Sequence, residues 1–243
     1  MTILAVYEVD AAPAARVLRD MPALAPALEA EIDGLWSQAQ ARTGGALFNG
    51  RVFSADTIAP DLLTGHLTEF RRIVAQMQRP TLQPALRVRP LAVCGVVLCE
   101  GGVVLGRRNG RMAYQAGMWQ LPPAGSVDGG AVDGKGRVDL RGQMLRELEE
   151  ELGLPASCVA SMRPICLVEH AESHVLDLGY ALEVALDAPT LLRLRAQAAH
   201  AAEYHPLEVV ALSALPARVA ALGAALVPTA RVFLTRLGLL APS

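Results

Sequence analysis

The sequence predicts an α/β protein in two parts, a small α+β part over residues 1–88 and a larger one over 89–243. Three observations lead there. "LAVCGVVLCEGGVVLGRR", from Leu91, reads as two Val-rich strand runs about a Glu-Gly-Gly turn, opened by Pro90 and closed by Arg107 and Arg108. "MLRELEEELGLP", residues 144–155, has helical periodicity and ends at Gly153 and Pro155. Strand patterns then recur at Arg163–Glu169 and His174–Leu186, before two Ala/Leu-rich helical stretches.

Taken in order, the first part holds a short apolar strand, Ile3–Glu8, and a helix-like segment around Leu24–Ala41. Asn49-Gly50, between Phe48 and Val52, signals a hairpin turn, and a second helical pattern over Asp61–Gln78 ends before Pro80. From Leu91 the texture changes to the strand pair, then the loop "GMWQLPPAGSVD", a Gly- and Asp-rich stretch to Gly136, and the glutamate helix. The closing helices, near Ser213–Leu222 and Thr229–Leu237, each precede a glycine, Gly223 and Gly238, as helix stops often do.

Length and charge bound the function. With 243 residues and 52% apolar content the chain can bury a full core. Its 22 basic and 24 acidic residues leave a net charge of -2, which recruits neither nucleic acid nor an anionic membrane, so a phosphate-bearing ligand must be held locally. "MTILAVYEVD" lacks the basic, apolar and small-residue regions of a signal peptide, and no segment has the length and apolarity of a membrane span; a cytoplasmic protein is expected. Cys94, Cys99, Cys158 and Cys166 lie in apolar stretches without Cys-x-x-Cys spacing, which suits reduced core thiols. Oligomeric state is not read from the sequence, and a homodimer is compatible with it.

In the glutamate helix, Asp139 is the expected N-cap and Gly153 the left-handed C′ residue. At about 100° per residue, with Glu147 at zero, Glu150 falls near -60° and Glu151 near +40°. Met144, Leu145, Leu148 and Leu152 take the neighbouring arc, and Glu149 points elsewhere. Carboxylates at i, i+3 and i+4 repel by a few tenths of a kcal/mol per pair, and the helix dipole disfavours negative charge in a last turn. A solvated acidic face tolerates these costs; a divalent cation removes them, since Mg²⁺ prefers hard oxygen ligands.

Arg146–Leu154, "RELEEELGL", fits the second half of the Nudix box at every defined position, and "GMWQLPPAG", Gly117–Gly125, resembles the Trp-x-x-Pro-Gly-Gly-type loop that leads into it. The resemblance covers about residues 90–243. It implies an α/β/α sandwich with a mixed sheet and Mg²⁺ or Mn²⁺ held by Glu147, Glu150 and Glu151, at which water cleaves a nucleoside diphosphate derivative. Arg146 would then orient the carboxylates, and Glu203 in "AAEYHPLEVVAL", with Glu208 as the alternative, would be a further ligand or the general base. Arg107 and Arg108 are candidate phosphate contacts, and Trp119 and Tyr114 candidate stacking partners for a base, each also readable as surface or packing.

The first half of the box departs from the pattern. Counting back from Arg146, its glutamate position is Val138 and its glycine position Val132. "SVDGGAVDGKGRVD" reads as an insertion, with Gly125 in the role of the early glycine and Asp139 or Asp128 standing in for the lost carboxylate; capping is the competing job of Asp139. "EHAESH", Glu169–His174, sits between strand patterns, where His-x-x-x-His spacing does not bring both rings to one face; ligand contact or loop polarity is expected. No coenzyme A signature is present, and Pro164 lies too near the box for an ADP-ribose marker. "LFNGRVF" is similar to a stretch in a minority of Nudix proteins acting on sugar nucleotides such as UDP-glucose, which ranks NDP-sugars first. A non-catalytic nucleotide sensor is the alternative that Val138 favours.

Overall fold

The computed structural model describes residues 2–110, 112 and 114–242. In chain order they form β1 (Ile3–Tyr7), β2 (Ala14–Val17), α1 (Pro26–Thr43), β3 (Arg51–Ile58), β4 (Leu62–Glu69), α2 (Phe70–Gln78), α3 (Gln83–Leu86), β5 (Leu91–Cys99), β6 (Gly102–Arg108), β7 (Trp119–Gln120) and β8 (Ala124–Ser126). These are followed by β9 (Arg137–Val138), α4 (Leu140–Leu152), β10 (Val159–His170), β11 (Leu176–Val184), α5 (Ala188–Arg195), β12 (Tyr204–Ala211), α6 (Leu215–Leu222) and α7 (Pro228–Arg236).

The larger sheet runs β1-β10-β11-β5-β6-β12, with β7 paired to β6 and β8 to β5. It is mixed, because β11 and β5 are parallel while the other pairs are antiparallel. Strand side chains alternate between its two faces. Leu91, Val93 and Val97 of β5 meet Met144, Leu148 and Leu152 of α4 on one side, and Cys94 and Val96 meet Val219 of α6 and Phe233 of α7 on the other. Every one of these side chains is buried, which makes the α/β/α sandwich. The four cysteines are free thiols, three of them buried.

The smaller sheet runs β3-β4-β2-β9. Among the described residues two strand pairings cross the boundary at residue 88: β1 adds to the edge of the large sheet through β10, and β9, from after the boundary, pairs with β2; single bridges at Val52–Asp128 and Ser54–Pro90 add to them. Ala15, Phe53 and Leu63 lie in the same buried cluster as Leu91 and Leu148, which joins the two parts, while Ile32, Leu35 and Ile73 belong to a second cluster within the first part.

Two expectations in this region are corrected. Asn49-Gly50 turns no hairpin: the chain before it is irregular, Phe48 is 84% exposed, and the two residues instead receive the start of α2, with Arg71 N–H donating to Asn49 Oδ1 and Phe70 N–H to the Gly50 carbonyl. The helical pattern over Asp61–Gln78 is a strand followed by a helix, because Leu62–Glu69 pairs along its length with β3 and buries Leu63, His66 and Thr68; tertiary pairing outweighs the apolar spacing. The sequence also gave no sign of α5 or β12.

A polar knot ties β1 to the middle of the molecule. Glu169 of β10 is 3% exposed and accepts from the Tyr7 hydroxyl at 2.7 Å and from Arg89 Nη2 at 2.8 Å, with His174 Nδ1 3.0 Å away. Burial pushes its carboxyl up, but the hydrogen bonds from Arg89, His174 and Tyr7 outweigh that and hold it below the ordinary value. A depressed carboxyl adds stability above its unfolded pKa and loses it as pH falls through the folded value. Glu169→Gln is therefore expected to cost about 1–3 kcal/mol in urea unfolding at neutral pH. The gap to the native protein should close as the pH is taken below the ordinary glutamate value of 4.5.

Candidate active site

The site is built around the C-terminal half of α4. Asp139 caps the helix, accepting from the Gly142 amide at 2.8 Å, so the capping role is the one it fills. Gly153 ends it in the left-handed conformation at φ 67°, its amide donating to the Glu149 carbonyl. A side chain there would also strike the Leu194 carbonyl at 2.6 Å.

Between these stops the helix buries Met144, Leu148 and Leu152, each 0% exposed, and this rotation presents the glutamates to a cavity of about 370 Å³ while Glu149 faces solvent. Glu147, Glu150, Glu151 and Glu203 line that cavity with Gly125, Asp128 and Arg108. Glu151 is 2% exposed, and one of its oxygens accepts from the Ala124 amide at 3.0 Å. Glu147 accepts from Gln143 Nε2 at 2.7 Å and lies against Gly125, where an added Cβ would stand 2.0 Å from its carboxyl carbon. Gly125 thus clears room for a carboxylate pressed onto the strand backbone.

The negative charge of this corner is poorly compensated, Arg108 opposing the rise of Glu151 without offsetting it. Burial is the chief cause that raises the Glu147 carboxyl to about 7; the Gln143 hydrogen bond opposes it, and Glu150, Glu203 and Asp128 add to it. Glu151 is raised well above the usual range, first by burial and then by Glu147 and Glu203. Neither forms an ion pair among the described residues. At the rim His200 Nδ1 lies 3.6 Å from Glu150 and 3.4 Å from Glu203, and the His200 amide donates to the Glu150 carbonyl. His200 was missed in the sequence, where no spacing links it to α4.

The remaining sequence candidates divide. Arg108 lines the cavity, donating to Gln120 Oε1 at 2.7 Å and to the Tyr114 carbonyl at 3.2 Å. Arg107, one strand position earlier, points away and donates to the Gly117 carbonyl, because neighbouring strand residues face opposite sides. Trp119 lies outside the cavity and packs beneath Arg218, whose guanidinium carbon is 4.5 Å from the ring centroid; Tyr114 occupies the cavity wall instead. Arg146 touches none of the glutamates directly: its guanidinium bonds Gln143, which in turn bonds Glu147. Glu208 is removed from the site, paired with Arg218. Val138 is buried in β9 against Ala15, and Asp128 supplies a carboxylate to the cavity.

Among the described residues no group of three His, Cys, Asp or Glu side chains is disposed to cage a metal ion unaided. The donor chemistry nevertheless fits a hard divalent cation. A buried carboxyl, Glu151, and a half-buried one, Glu147 seated by Gly125, neither with an ion-pair partner among the described residues, match an ion that takes one or two protein carboxylates and completes its shell with water and substrate oxygens.

No family model matches the sequence, and no curated protein matches it. Among solved structures, DR0079 from Deinococcus radiodurans is similar at 17% identity, with 75% of this chain and 96% of that one covered and a TM-score of 0.47. A MutT Nudix hydrolase from Burkholderia pseudomallei is similar at 22% identity, 61% and 97% coverage and a TM-score of 0.43. A bifunctional NMN adenylyltransferase/ADP-ribose pyrophosphatase from Francisella tularensis matches at 11% identity over 68% of this chain and 44% of its own, with a TM-score of 0.45.

Gly125→Ala should force the Glu147 carboxyl off β8. Expected is a loss of Mn²⁺ uptake of about tenfold or more, followed by electron paramagnetic resonance, with the melting temperature little changed; uptake equal to the native protein's would show that the cradle has no bearing on metal.

Proposed function

We propose that the chain is a Nudix-type pyrophosphohydrolase that cleaves the diphosphate linkage of a nucleoside diphosphate derivative, an NDP-sugar such as UDP-glucose ranking first. The observation that carries the reading is the set of three carboxyls, Glu147, Glu150 and Glu151, gathered on one cavity by α4 in the register of the Nudix box, Glu147 and Glu151 without an ion-pair partner among the described residues. The preference for a sugar nucleotide rests on "LFNGRVF" alone.

On this reading Glu147, Glu150 and Glu151 hold Mg²⁺ or Mn²⁺, which would neutralise phosphoryl charge and make water a better nucleophile. Arg108 donates to a phosphate oxygen and keeps its place through Gln120 and the Tyr114 carbonyl. Glu203, beside His200 at the rim, accepts the proton of the attacking water as the new phosphorus–oxygen bond forms. The bridging phosphorus–oxygen bond breaks, and two phosphate-bearing products leave. Arg146 acts through Gln143 to orient Glu147. No helix of the described chain is long and apolar enough to cross a membrane, and a cytoplasmic setting and a homodimer belong to the same proposal.

A nucleotide sensor without turnover is the second reading, favoured by the replacement of the box glutamate with the buried Val138. Incubation with Mg²⁺ and a panel of NDP-sugars, ADP-ribose and dinucleoside polyphosphates separates the two, since a sensor binds and releases no monophosphate. Glu150→Gln, at a half-exposed position, should keep the fold and lower kcat about a hundredfold or more; undiminished turnover removes the assignment.

A further inference from the structure

The cavity continues past the carboxylates to a face that the hydrolytic reading leaves unused. Its walls there are Phe70, Ile73 and Met77 of α2 with Val175, all apolar. Two polar side chains interrupt them. Gln115 holds the left-handed backbone at φ 54°, a conformation that costs a non-glycine residue about 1 kcal/mol and clusters at ligand clamps. Its amide Nε2 is buried without a hydrogen-bond partner, the neighbouring Tyr114 hydroxyl being paired with Ser173 Oγ at 2.9 Å. An orphaned donor of this kind is stabilised when a ligand acceptor meets it. Asp177, at the start of β11, is 6% exposed and lines the same cavity. His170 Nε2 stands 2.7 Å from Asp177 Oδ2 and fixes the carboxylate on the cavity wall, where its oxygens are acceptors.

We propose that Gln115 and Asp177 read the edge of a nucleobase whose ring lies against the α2 wall. The proposal rests on the nucleotide reading above. A flat ring with apolar faces and its donors and acceptors on the rim matches apolar walls broken by one donor and one acceptor. A sugar carries hydroxyls around its whole circumference and would meet Phe70, Ile73 and Met77 with them unpaired. The strained backbone at Gln115 holds the amide in place before the base arrives, which lowers the ordering cost of binding.

The test is calorimetric titration, with Mg²⁺ present, of UDP, CDP, ADP, GDP, inorganic pyrophosphate and glucose 1-phosphate into the native protein and into Gln115→Gly, Gln115→Glu and Asp177→Asn. Gln115→Gly keeps the fold, because glycine takes the left-handed conformation freely, so a weakened ligand reports the lost amide. Expected is that the tightest nucleoside diphosphate exceeds pyrophosphate in affinity and that each variant lowers this ratio about tenfold. A ratio unmoved by the Gln115 variants, or a loss confined to glucose 1-phosphate, overturns the subsite. Base-dependent binding through Gln115 without hydrolysis leaves the subsite standing and removes the hydrolase; no binding of nucleotide or pyrophosphate removes both.

Discussion

Two carboxyl groups drawn out of bulk water, Glu151 buried and Glu147 half-buried, with no ion-pair partner among the described residues, set the terms for the rest of this molecule. Glu147 and Glu151 lie in the last turns of α4, where burial, the helix dipole and their neighbours all disfavour charge. An arrangement of that kind persists only if the surroundings force it. Here the forcing is apolar: Met144, Leu148 and Leu152 seal α4 to the sheet, and that rotation leaves the glutamates nowhere but the cavity. The capped start at Asp139 and the left-handed stop at Gly153 fix the helix length, so the register of the carboxylates cannot slip.

The same constraint explains why the two halves of the chain are not independent. The cavity is closed on one side by α4 and β8 and on the other by α2, an element of the first 88 residues. The relation between those walls is fixed by backbone pairing, with the Phe53 amide donating to the Val127 carbonyl and the Ala55 amide to the Arg89 carbonyl, and by the Glu169–Arg89–Tyr7 knot across β1 and β10. The carboxylates and the apolar α2 wall therefore sit on opposite sides of one seam, and motion at the seam would alter both.

What the sequence disclosed follows the range over which its signals act. The strand pair from Leu91, α4 with both its stops, and the terminal helices are written in local periodicity and capping chemistry, and the helical spacing alone put Glu147, Glu150 and Glu151 on one face. Asp61–Gln78 misled because apolar spacing over the first half was equally compatible with a helix, and only the partner strand β3 decides for the ladder. Arg107 and Arg108 could not be ranked until β6 was known to end at that pair, since adjacent strand residues part to opposite faces. His200, Gln115 and Asp177 carry no motif: they reach the cavity through β-strand and loop connections of long sequence separation, and a single chain records none of those contacts.

Charge balance within the cavity leads one step further. Asp128, Glu147, Glu150, Glu151, Asp177 and Glu203 face Arg108, the one guanidinium among the described lining residues. A diphosphate entering such a pocket meets a field of its own sign in a medium of reduced dielectric, where repulsion is stronger than in water. The cavity's own residues thus disfavour a phosphate group, and a divalent cation among them would reverse that sign. On the proposed reading, selectivity for the rest of a nucleotide ligand would come from neutral contacts, which is the chemistry that the apolar α2 wall and the Gln115 amide supply.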